Sequence, residues 1–172
     1  ATQNAPSAYA AAVSGYTSPT PALSFTGMAN LTSVTLTGFY KSVSFSTLAN
    51  LATVDLDVTT GDLTITDNDN LTSLDVTGSE IGNVSITNND GIAVVDLDHT
   101  SDLNFYGLTA DRKSLSHTIT GNSEMTTFHN TAASSVRVLN VTSNAKLATV
   151  LMTGYAGVGT ETTLYPTVDV YS

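Results

Sequence analysis

The chain contains no cysteine and no tryptophan, and Lys and Arg together number only 5. Without cysteine there are no disulfides, no thiol catalysis and no cysteine-based zinc site. So few cations exclude nucleic acid as a partner, because neutralising phosphates takes Lys and Arg. They also argue against docking on an anionic membrane surface. No apolar run approaches the ~20 residues of a spanning helix, so membrane insertion is not expected. Neither a Gly-x-Ser-x-Gly nucleophile elbow nor a phosphate-cradling glycine loop is present. Charged residues are 12% of the chain, about half the usual share. The balance is acidic, with a net charge of -10 and a pI near 4.2. Most acids lie between Asp55 and Asp111, and no Lys or Arg occurs between Lys41 and Arg112. The plain reading is a solvated acidic surface that maintains solubility; the sharper one is a cation-binding strip.

Hydroxyls fill the gap left by charge. Ser and Thr together exceed a quarter of the 172 residues, while hydrophobic residues stay at 41%, a normal globular share. That length fits one domain with a continuous core. β-branched Thr suits the exposed side of a pleated strand. The chain starts at Ala1 without Met, which fits a mature secreted chain or simple Met trimming. Together these features lean towards an extracellular, cell-surface or virion-surface setting.

The sequence restarts on itself. Leu23–Gly38 (LSFTGMANLTSVTLTG), Val43–Val58 (VSFSTLANLATVDLDV), Leu63–Gly78 (LTITDNDNLTSLDVTG) and Val84–His99 (VSITNNDGIAVVDLDH) share one form. Each runs apolar-x-apolar, a short bend, then apolar-x-x-apolar-x-apolar. The first segment centres on Phe25, Phe45, Ile65, Ile86 and then Phe105, the second on Leu36, Leu56, Val76 and Leu97. A period of about 20 residues marks a solenoid. Apolar positions two apart face one side of an extended chain, and no i, i+3, i+4 stripe appears. At ~3.3 Å per residue, two short strands and two bends use up about 20 residues. The expected fold class is therefore all-β, a single parallel β-solenoid of six to seven coils. Leu63, Ile65, Leu71, Leu74 and Val76 should point inward, and Thr64, Thr66, Ser73, Asp75 and Thr77 outward. Asn68, Asn89, Asn122 and Asn144 should form an inward ladder at the first bend.

The ends depart from the repeat. Residues 1–21 read as an N-terminal cap and entry segment, with AYAAAVSGY expected as a short helix or cap. Residues 22–157 form the solenoid. Residues 158–172 (with TTLYPTVDVYS at Thr162–Ser172) form a C-terminal cap or a pairing strand. The spacing from Phe105 to Ile119 is too short for a full coil. It leaves two alternatives: a half-coil inserted around Thr109–Ser116, or Ile119 continuing the second face. Leu108–Ser116 is the expected protruding loop.

The run Gly61-Asp-Leu-Thr-Ile-Thr-Asp-Asn-Asp-Asn-Leu-Thr-Ser-Leu-Asp-Val resembles the repeat of leucine-rich, receptor-L-domain-like solenoids, G-x-L-x-I-x-x-N-x-x-L-x-x-L. The resemblance spans Leu23–Gly154 and implies a surface-protein scaffold. Such repeats serve adhesion, ligand binding and surface assembly alike, and the missing cysteines separate this chain from L-domain receptors.

Four candidate sites follow. The first is an outward hydroxyl ladder of Ser24, Thr26, Ser44, Ser46, Thr64, Thr66, Ser85, Thr87, Thr118 and Thr120. It partly resembles the Thr-x-Thr grid of ice-binding solenoids, with Asn104 and Tyr106 expected to interrupt it. The second is a carboxylate ladder, Asp55, Asp57, Asp75, Asp96 and Asp98, with calcium as the cation that would bridge it. Asp67-Asn-Asp-Asn is not an EF-hand loop, since Leu71 falls at a ligand position. The third is acidic-glycan hydrolysis by paired carboxylates, disfavoured because these aspartates read as exposed and no acid looks buried enough for a raised pKa. His99, His117 and His129 have no metal-ligand spacing and read as surface residues. The fourth is glycosylation at Asn30, Asn70, Asn83 and Asn140, acceptor patterns that a Thr/Ser-rich chain produces by chance. The sequence thus points to a non-catalytic surface module that associates with itself, as a homo-oligomer or lattice, or binds a surface or glycan partner. Ice binding is the alternative and glycan hydrolysis the third reading.

Overall fold

The computed structural model describes residues 8–13, 22–97, 115–130 and 136–152. They form a parallel β-solenoid of about 5 turns without a helix. The strands are β1 (Ala8–Val13), β2 (Leu23–Thr26), β3 (Ser33–Ser46), β4 (Thr53–Thr66), β5 (Ser73–Asp75), β6 (Glu80–Thr87), β7 (Val94–Asp96), β8 (Leu115–Thr120), β9 (Thr127–Asn130), β10 (Val136–Thr142) and β11 (Thr149–Met152).

Each coil has two faces and two corners of different character. The first face stacks β2, the ends of β3 and β4, then β6, β8 and β10, all parallel. The second face carries the starts of β3 and β4, with β5, β7, β9 and β11. At the second corner β3 and β4 run on unbroken from one face to the next. At the first corner every strand stops. A left-handed residue turns the chain there in each coil: Gly27, Thr47, Asp67, Asn88, Gly121 and Ser143, with φ between 54° and 71°. Asn and Asp tolerate this region through local hydrogen bonds, whereas β-branched Thr47 is strained in it. Four residues then close a turn, as in Leu51 N–H to Leu48 O at 3.0 Å and Leu71 N–H to Asn68 O at 3.0 Å.

Phe25, Phe45, Ile65, Ile86 and Ile119 fill the core under the first face, and Leu36, Leu56, Val76 and Leu97 under the second, all buried. The Phe25 and Phe45 rings stack with centroids 5.1 Å apart. Leu63, Ile65, Leu71 and Val76 are inside as expected, and Leu74 is half-buried against the same core. The expected Asn ladder is present. Asn68 Oδ1 accepts from Leu48 N–H at 3.0 Å. Asn89 Oδ1 accepts from Asn68 N–H and Nδ2, each at 3.1 Å. Asn122 Oδ1 accepts from Asn89 N–H at 3.0 Å, and Asn144 Oδ1 from Asn122 N–H at 2.9 Å. Each Nδ2 also reaches a carbonyl of the previous coil, for example Asn89 to Ile65 O at 3.0 Å.

The ladder measures the coils. Its successive steps are 20, 21, 33 and 22 residues. One coil is therefore much longer than the rest, and this replaces the six to seven coils expected from a uniform period. Ile119 pairs with Ile86 on the first face, so it neither continues the second face nor follows a Phe105 rung. Leu115 and Ser116 open β8. The rest of the expected loop, with Phe105, Asn104, Tyr106, Asp98 and His99, lies outside the described residues, as does the Thr162–Ser172 segment. The N-terminal AYAAAV is a strand, not a short helix. β1 pairs with β3 from Ala8↔Ser33 to Val13↔Gly38, and backbone pairing overrides the helix propensity of alanine.

The second face is interrupted. β5 pairs with β4 only through Asp75, and β7, β9 and β11 form a separate 3-stranded sheet. Two side chains explain where β5 ends. Asp75 Oδ1 accepts Thr77 N–H at 2.9 Å, closing a local turn. Ser79 Oγ then donates to Leu56 O at 2.9 Å and accepts Val58 N–H at 3.1 Å. A buried hydroxyl thus satisfies the β4 groups that a continuing β5 would have met.

Candidate functional site

The first face holds the hydroxyl ladder in register. One row runs Ser24, Ser44, Thr64, Ser85, Thr118 and Asn140; a parallel row runs Thr26, Ser46, Thr66, Thr87, Thr120 and Thr142. All ten ladder residues expected from the sequence lie in these two rows. Thr118 and Thr120 directly follow Ser85 and Thr87, so Asn104 and Tyr106 do not interrupt them. Rungs in such a sheet lie ~4.8 Å apart. Parts of the outer row are tied together: the Thr87 hydroxyl donates to that of Thr66 at 2.9 Å, and those of Thr120 and Thr142 pair at 2.9 Å.

A third row flanks the first: Ser42, Asp62 and Asn83 in register, followed by Ser116. Asn83 Nδ2 donates to Asp62 Oδ1 at 2.8 Å, and Asn83 Oδ1 accepts Ser116 N–H at 3.0 Å. This row and the Ser44–Thr118 row wall a shallow groove of about 440 Å³. Its floor is strand backbone, because Val43, Leu63 and Val84 between the walls point into the core. Neither the edge row nor the groove was singled out from sequence. The outward alternation of Ser42/Ser44, Asp62/Thr64 and Asn83/Ser85 is the signal that carries it.

The carboxylates of the second face converge less. Asp55 and Asp75 are neighbours in register. Asp57 pairs with Thr37 and lies beside Gly78. Asp96 lies opposite His129, whose Nδ1 is 3.5 Å from Asp96 Oδ2. Among the described residues no three acidic or histidine side chains gather at one point. The hydrogen bonds from the Thr77 backbone and side chain hold the Asp75 carboxyl below its usual value. His117, expected on the surface, is fully buried. Its Nε2 is 3.3 Å from Gly82 O and its Nδ1 3.3 Å from Asn130 Nδ2.

Asn30, Asn70, Asn83 and Asn140 of the glycosylation patterns are all exposed. The Asn70 amide donates to Ala49 O and the Asn83 amide is engaged as above.

No protein-family model matches the chain, and no curated protein or solved structure matches it either.

Proposed function

We infer that this chain is a non-catalytic interaction module of an extracellular, cell-surface or virion-surface type, built on leucine-rich, receptor-L-domain-like coils. It presents the first face to a surface or glycan partner or to another copy of itself. The observation that carries this reading is the register of two hydroxyl rows across six rungs without a charged side chain in either. Hydroxyls on rigid strands offer repeated donors and acceptors without the side-chain entropy that long charged groups lose. Catalysis finds little support: Asp55 and Asp75 are both exposed, and no hydrogen-bonded acid is held in a dry pocket there. Binding to an oligosaccharide panel, with light scattering for self-association, tests the reading. It fails if the chain stays monomeric and retains no glycan or surface.

Ice binding is the second reading, and the same two rows favour it, since paired hydroxyl and methyl groups repeat on a flat grid. Ice crystals grown in the protein solution should then be shaped, and Thr66→Tyr should abolish the shaping. Asp55 and Asp75 are the pair a calcium ion would bridge on the other face. A melting temperature unmoved by calcium and by chelator would exclude that.

A further inference from the structure

Deepening the proposed glycan reading, we propose that the groove between the Ser42–Asp62–Asn83–Ser116 row and the Ser44–Thr64–Ser85–Thr118 row binds a linear glycan carrying free amino groups, laid across the strands. Three observations converge on this class. First, both walls present a hydroxyl, amide or carboxylate at every rung, so a ligand that repeats hydroxyls along its length meets a polar partner at each step. The groove's size lies in the range of small-molecule sites, although it is open on one side.

Second, among the described residues the only charged side chain lining the groove is Asp62, in a protein of net charge -10. Anionic sugars are repelled, and a cation is drawn to the middle of the groove. Third, Asp62 is pre-oriented. Asn83 is fixed by accepting Ser116 N–H, which aims its amide at Asp62 Oδ1. Asp62 is exposed and its carboxylate takes its one side-chain hydrogen bond among the described residues on Oδ1, so the second oxygen can accept an ammonium group. A charge-assisted hydrogen bond of this kind is roughly twice as strong as a neutral one. The flanking hydroxyls of Ser44, Thr64 and Ser85 then bind the sugar hydroxyls on neighbouring units.

The test uses the whole chain and three fluorescently labelled hexamers: a glucosamine oligomer, its fully N-acetylated counterpart, and a galacturonate oligomer. Anisotropy should show the glucosamine oligomer binding tightest and the galacturonate weakest, with the difference shrinking as salt rises. Asp62→Asn should weaken glucosamine binding roughly tenfold and leave the N-acetylated oligomer nearly unchanged. Asp69→Asn, which removes the same charge from the exposed first corner, should change neither. Thr64→Arg, which fills the groove with a cation, should abolish glucosamine binding while the thermal melt confirms a folded chain. Equal binding of the amine and N-acetyl forms, or an Asp69→Asn loss as large as that of Asp62→Asn, overturns the charge selection and leaves the broader glycan reading standing. An oligolysine that binds as tightly, with the same sensitivity to Asp62→Asn, overturns the glycan assignment. If no oligomer binds, the groove proposal falls, and light scattering decides whether the first face serves self-association instead.

Discussion

The two faces of the solenoid are made of the same coils, yet only one is continuous. On the first face every rung is paired to the next, from β2 to β10, across a coil lengthened by half or more. On the second face the ladder stops at Asp75 and resumes at β7 in a separate sheet. The difference lies beside the faces, in the corners. The first corner is locked by a left-handed residue, a closed turn and a buried amide that reaches both neighbouring coils. Among the described residues the second corner has no such common device, and a single inserted residue near Ser79 lets side chains replace backbone pairing. The ordered face is thus the one whose strands run into the locked corner. Long rows in register need the ordered face, so the hydroxyls align there while the carboxylates opposite scatter.

The most direct way to break this contrast is to empty the core under each face. Ile65→Ala, fully buried beneath the first face, should cost about 3 to 4 kcal/mol in chemical denaturation, while half-buried Leu74→Ala beneath the interrupted face should cost about half as much or less. Equal losses would mean that the second face is packed as tightly as the first. Next comes the corner. Asn89→Ala removes an acceptor for two donors and a buried amide, and should lower stability by about 3 kcal/mol, since the stranded buried donors keep their full desolvation cost. Native-state hydrogen exchange sharpens the comparison without mutation: amides of β4 and β6 on the first face should exchange more slowly than those of β5 and β7.

Acid should act on the second face. Asp75 has a lowered carboxyl pKa in the folded state, so its contribution is present above the unfolded value, about 3.9, and is lost as pH falls through the folded one. Asp75→Asn should flatten that acid limb of the melting curve, and an unchanged limb would assign it to other carboxylates. The smallest effect is a gain. Thr47→Asn places in the left-handed corner a residue that Asn88 already shows to be compatible, and should add about 0.5 to 1 kcal/mol.

Much of this was legible in the sequence because a period of two and a period of about twenty act together. An apolar residue such as Ile65 must face a core, and an Asn three positions on, where the chain bends, can be satisfied inside only by its neighbours. The long coil was misread because Leu103-Asn-Phe105 imitates a first-face rung. The Asn spacing gives the true length: the ladder residues stand at Asn68, Asn89, Asn122 and Asn144, so the third coil step is 33 residues. β1 was misread because six residues of Ala, Tyr and Val have no period, and only the edge of β3 supplies their partner. The buried position of His117 was invisible for a related reason, since it depends on Gly82 and Asn130 brought from other coils. The groove escaped because it is made of ordinary exposed residues whose alignment exists only after stacking.

The amide ladder also has a direction. Each of the four Asn lends its oxygen to the coil before it, and Asn68, Asn89 and Asn122 lend their hydrogens, in part, to the coil after them. Peeling away a leading coil takes the donors from that oxygen and one carbonyl partner from the amide nitrogen, which keeps others, whereas peeling away a trailing coil takes the acceptor from a backbone N–H, the costlier loss. Within the ladder from Leu48 to Asn144, a trailing coil should consequently be harder to detach than a leading one.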